Sequence, residues 1–98
     1  MTREEVLKRL DANKDKLKVF AVAGLAVFGS VARDQARTDS DVDILVEYQP
    51  DARVGLFAFV RLQRFLSELL GARVDLVTPA ALREEMKDQI LREAIRAA

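Results

Sequence analysis

The stretch Gly29–Glu47 reads GSVARDQARTDSDVDILVE, and its two ends carry different chemistry. Gly29-Ser30 closes the apolar run Val19–Phe28, VFAVAGLAVF; after a ten-residue gap Asp41-Val42-Asp43 opens a second one, Ile44-Leu45-Val46. In a strand, alternate side chains share a face. Asp41 and Asp43 therefore project together, with Cα atoms about 6.6 Å apart, while Val42, Ile44 and Val46 point to the other face. Two neighbouring carboxylates repel unless something positive sits between them, and a hard divalent cation suits oxygen ligands. Gly29 allows a tight turn that brings backbone amides close to a ligand. A phosphate cradle beside a metal-binding carboxylate pair points to nucleotide chemistry.

Composition narrows the remaining possibilities. Ninety-eight residues suit one domain, expected to span 1–98, near the lower end of what holds a single core. Sixteen basic residues balance sixteen acidic ones, so no general attraction to nucleic acid is expected, although a local basic patch stays open. The absence of cysteine excludes a disulfide framework and thiolate metal sites; the absence of histidine excludes histidine acid–base catalysis. The N-terminal MTREEVLKRL lacks the apolar centre of a signal peptide, and Val19–Phe28 is too short to span a bilayer. A cytoplasmic location is the expectation.

Along the chain, Thr2 and Glu5 match a capping box opening a helix that runs to about Lys16, with Val6, Leu7, Leu10 and Leu17 on one face. Arg3, Glu4, Lys8, Arg9 and Asp11 fall on the solvent side. Val19–Phe28 reads as a buried strand ending at Gly29. Ser30–Ala36 suits a helical turn whose positive end would meet bound phosphate. Arg37–Ser40 is a polar loop, and Asp41–Tyr48 a second strand. Val54–Leu70 has helical spacing, with Gly71 as the C-terminal glycine. Phe57 and Phe59 suit core packing better than base stacking. Arg73–Thr78 makes a third strand in which Asp75 interrupts VDLV, where a buried charge needs a partner. Leu82, Met86, Ile90, Leu91, Ala94 and Ile95 mark one or two amphipathic helices to the end. This order predicts an α/β (α+β) fold, a small mixed sheet packed against helices that cover mainly one face.

Gly29-Ser30 followed at this spacing by Asp41-x-Asp43, with GARVDLVTP farther on, resembles the signature of the DNA polymerase β-type nucleotidyltransferase superfamily. The chain is most similar to its smallest branch, the minimal nucleotidyltransferase (MNT-domain) antitoxins. The resemblance covers nearly everything from Val19 onward and implies the nucleotidyltransferase fold. It also implies a metal-dependent transfer from ATP with two Mg²⁺ ions about 3.5–4 Å apart. Asp41 and Asp43 would ligate both ions. Asp75 would complete the site of the attacking hydroxyl and accept its proton. Gly29 and Ser30 would hold the β- and γ-phosphates, and Arg33 would approach the triphosphate.

Each assignment has a plainer alternative: Asp41 and Asp43 as polar residues starting an exposed strand, Asp75 as a surface residue or one paired with Arg73, Arg33 as an exposed helix residue. Asp39 shares strand parity with the pair but lies upstream of the motif. Asp43→Asn is expected to abolish metal-dependent activity with thermal stability nearly unchanged. The short chain offers no second domain to hold an acceptor, so the acceptor is expected on a partner. The resemblance implies a HEPN-family toxin as that partner, neutralised by transfer of AMP to a toxin tyrosine. Two other functions are open: an antitoxin that acts by binding alone, and transfer to a small molecule or RNA.

Overall fold

The computed structural model describes residues 1–37 and 39–98. Thr2 caps helix α1 (Arg3–Ala12), its side chain accepting the Glu5 N–H at 3.2 Å, as the capping box predicts. The expected single helix to Lys16 breaks at Asn13. That side chain donates to the Arg9 carbonyl at 2.8 Å and a short α2 (Lys14–Lys18) follows, because asparagine competes for backbone partners and favours helix ends. Arg9 is exposed as expected, whereas Arg3 is partly buried, and both also bond to backbone carbonyls. Arg3 donates to the Ala32 carbonyl at 3.2 Å and Arg9 to that of Leu70 at 3.1 Å.

Strand β1 (Val22–Phe28) begins three residues after the expected start. Val19 is 85% exposed, and Ala21 sits at φ 61, a left-handed turn that directs the chain into the strand. After α3 (Gly29–Ala32) come β2 (Val42–Tyr48), α4 (Leu56–Leu70) and β3 (Val74–Val77). Gly71 ends α4 at φ 64, a conformation glycine adopts without a Cβ clash.

The sheet order is β3-β2-β1-β4, with β1 antiparallel to both neighbours and β2 parallel to β3. The mixed sheet is as expected, but the fourth strand corrects the reading of the last segment as helix to the end. α5 (Glu84–Glu93) stops at Ala94, and Ile95–Arg96 pairs with β1 as β4. Ile95 packs against the core and Ala97 is buried in it, so here tertiary burial overrides helical spacing.

One face of the sheet carries the core. Val42, Ile44 and Val46 of β2, Leu25 and Val27 of β1, and Val74 and Leu76 of β3 join Val6, Leu10, Leu62, Leu66 and Leu70 from α1 and α4. Phe59 packs against this cluster, but Phe57 is 79% exposed, so the core assignment holds for only one of the two. The opposite face presents Asp43, Leu45 and Glu47 from β2 and Asp75 and Val77 from β3, partly covered by α5. Among the described residues no helix is long and apolar enough to cross a membrane.

Candidate active site

The candidate residues gather where β1 ends and β2 and β3 begin. β1 terminates at Phe28, paired with Asp43 across the antiparallel ladder; Gly29 turns the chain into α3 at φ 73. The turn brings the Gly29 backbone directly against the Asp43 carboxylate. A Cβ on Gly29 would fall on Oδ2 of Asp43 and within 3.0 Å of its Cγ. Glycine is therefore required twice here, by the backbone angle and by the neighbour.

Parallel pairing places Asp75 directly beside Asp43, and the Val42 N–H donates to the Arg73 carbonyl at 2.9 Å to fix that register. Asp41 precedes β2 by one residue and keeps the face of Asp43. Asp41 and Asp75 are exposed and Asp43 is half-buried, so Asp75 is not the buried charge that the VDLV string suggested. β3 has one face in the core and the other open, and Asp75 takes the open one.

The electrostatics tie the three carboxylates together. The Asp43 carboxyl is pushed up from 3.8 to about 6, first by burial, then by the negative charges of Asp75 and Asp41. The Arg33 guanidinium acts in the opposite direction and the Glu93 carboxylate adds to the rise. Among the described residues no three carboxylates, these included, are gathered closely enough to hold an ion as they stand.

Arg33 lies near the site but engages Glu93 of α5, its Nη1 donating to both carboxylate oxygens at 3.2 and 3.3 Å, while its Nε donates to Gln35 at 3.3 Å. Arg33 is exposed at the end of α3, as the plainer alternative has it, and is also paired with Glu93. Glu93 itself was missed by sequence reasoning; sixty residues separate the partners, and no local pattern signals the contact. The loop before β2 is closed by Ser40, whose Oγ accepts the Arg37 N–H at 2.8 Å. Asp39 lies exposed in a turn of that loop, and Thr38 lies outside the described residues.

The model of the nucleotidyltransferase domain family matches residues 5–97, which includes every residue of this site. The chain belongs to the nucleotidyltransferase family. A protein adenylyltransferase, MntA of Thermococcus cleftensis, is 41% identical over 96 residues, covering 97% of this chain and 95% of that protein. A solved minimal-nucleotidyltransferase structure superposes with a TM-score of 0.80 at 39% identity, over 97% of this chain and 95% of the other. A toxin–antitoxin structure solved with AMP-PNP matches at a TM-score of 0.68 and 20% identity, over 100% of this chain and 73% of that one. That last likeness is one of fold.

Proposed function

We propose that this nucleotidyltransferase is an antitoxin that transfers AMP from ATP to a HEPN-family toxin, with residues 1–98 as its single catalytic domain. The observation that carries the chemistry is the Asp43 carboxylate seated over Gly29, with Asp75 in register beside it and Asp41 on the same face. The protein acceptor is supported by the 41% identity to a protein adenylyltransferase, and the toxin by the fold shared with a chain of the toxin–antitoxin structure solved with AMP-PNP.

An all-oxygen donor set from Asp41, Asp43 and Asp75 fits a hard divalent cation such as Mg²⁺, and the charge that raises Asp43 is what a bound cation would neutralise. When bound, Mg²⁺ would stabilise the charge developing on the attacking and leaving oxygens. Gly29 and Ser30 hold the β- and γ-phosphates, so that the α-phosphorus faces the carboxylates. Asp75 accepts the proton of the acceptor hydroxyl as its oxygen bonds to the α-phosphorus. The bond from that phosphorus to the β-phosphate oxygen breaks, and pyrophosphate leaves. Arg33 reaches the triphosphate by exchanging Glu93 for a phosphate oxygen, a trade between two charge-assisted hydrogen bonds.

A second reading, neutralisation by binding alone, is favoured by the apolar side chains of Leu56 and Phe57, which are exposed at the start of α4, far along β2 from the carboxylates. One experiment separates the two. The toxin is incubated with ATP, Mg²⁺ and either wild type or Asp43→Asn, and its intact mass is measured. AMP-sized increments with wild type alone establish the transfer. Unchanged mass with tight co-elution of the two proteins, and with neutralisation by both forms, establishes binding as the mechanism.

A further inference from the structure

The open face of the sheet continues past the carboxylates into a cavity of about 170 Å³ between the strands and α5. Its floor is Ala26 and Leu45, its wall Leu91, and Glu47 and Arg96 stand at its polar edge. Leu45 lies two residues beyond Asp43 on the same face and is buried although it belongs to no part of the main core. Gly24 pairs with Glu47 in the ladder, and a Cβ there would come within 3.1 Å of Arg96 Nη2, so the missing side chain makes room for the guanidinium. Leu91 is 48% exposed, an apolar surface with no protein group over it.

We propose that this cavity is the base subsite: it takes the adenine ring, with Glu47 accepting the exocyclic amino group, Arg96 donating to a ring nitrogen, and Leu91 packing on the ring face. The proposal rests on the nucleotidyltransfer reading above, because the Asp43 end of the same face fixes where the α-phosphorus lies. Glu47 is four strand residues from Asp43, roughly 13 Å, a span that a ribose and base bridge. The volume suits one ring system and not a second nucleotide. An acceptor side chain fits the cavity less well. Its hydroxyl must sit at Asp75, which leaves the donor–acceptor pair of Glu47 and Arg96 with nothing to recognise. A base with an amino group beside a ring nitrogen uses both.

The test is isothermal titration of the full chain with ATP, with inosine triphosphate and with inorganic tripolyphosphate, all with Mg²⁺. Inosine places a carbonyl oxygen where adenine has its amino group, which sets it against the Glu47 carboxylate. Wild type is expected to favour ATP by about tenfold, the scale of one charged hydrogen bond lost. Glu47→Ala is expected to weaken ATP by about the same factor, to leave tripolyphosphate unchanged and to bind inosine triphosphate no more weakly than wild type does. Ala26→Leu, which fills the floor, is expected to weaken both nucleotides and spare tripolyphosphate. Equal effects of Glu47→Ala on the two nucleotides, or undiminished ATP binding by Ala26→Leu, overturn the subsite. If Asp43-dependent transfer survives such a result, the function stands without it. If selectivity appears but no partner gains AMP, the subsite stands and the proposed acceptor falls. Absence of any nucleotide binding overturns both.

Discussion

At Gly29 one residue type satisfies two constraints that an alanine cannot meet. The φ of 73 costs an L-residue roughly 1–2 kcal/mol, and the Asp43 carboxylate occupies the space of the Cβ. Gly29→Ala is therefore expected to lower stability by about 2 kcal/mol in urea denaturation and to remove single-turnover transfer, because Asp43 must move to admit the methyl. Retention of wild-type turnover would show that the Asp43 position has no part in the chemistry. Asp43 itself carries a pH signature. Its carboxyl ionises at about 6 in the folded chain against 3.8 ordinarily, so the native state binds the proton more tightly than the unfolded chain does. The stabilisation is full below pH 3.8, falls as pH rises, and is gone above pH 6. Because the group is partly solvated, the amount is about 1 kcal/mol after discounting for screening. Asp43→Asn is expected to flatten this slope in metal-free protein and to exceed wild type in stability at pH 7 by a similar amount. The burial that causes this difference, and separates it from the nearly unchanged stability expected from the motif alone, has no local signature in the sequence. A parallel pH profile for both proteins would contradict the shift.

At the scale of elements, what local chemistry governs was legible and what distant contacts govern was not. The capping box at Thr2, the helix ending at Gly71 and the three longer strands follow from residues within one turn or one strand of each feature. The motif points to Gly29, Asp43 and Asp75 as candidates, and ladder pairing brings them together. β4 could not be read, since Ile95 and Ala97 continue the helical spacing of α5 and only the free edge of β1 selects a strand. Glu93 eluded the sequence for the same reason. The start of β1 was misplaced because Ala21 takes a left-handed turn that alanine seldom adopts. That strain yields a prediction. Its carbonyl accepts the Gln49 N–H at 2.9 Å, so the turn is held by the residue that follows β2 and glycine would relieve it without moving it. Ala21→Gly is expected to gain about 0.5–1 kcal/mol, the left-handed penalty less the added entropy of the unfolded glycine. A lower urea midpoint in the variant would refute the account.

Across the whole molecule, the last strand joins the face that carries the carboxylates to the stability of the fold. The segment after α5 closes one edge of the sheet. The Ala97 N–H donates to the Leu25 carbonyl at 2.8 Å, the Leu25 N–H donates to the Ala98 carbonyl at 3.1 Å, and Arg96 pairs with Ala26. The same few residues supply Ala97 to the core and Arg96 to the cavity on the other face. A chain ending at Ala94 loses these bonds and leaves the β1 edge open to pair with another molecule. With each net hydrogen bond worth about 1 kcal/mol and the apolar contacts of Ile95 and Ala97 also gone, the loss should reach about 3 kcal/mol. Hydrogen exchange locates the effect. In the truncated chain the Leu25 amide is expected to lose protection first, while the Ile44 amide in central β2 follows only the global loss. Size-exclusion chromatography should show self-association that rises with concentration, as an exposed edge strand requires. If Leu25 stays as protected as Ile44, and the truncated protein associates no more than the full chain does, β4 does not close the sheet in solution, and the route from edge strand to cavity is broken at that point.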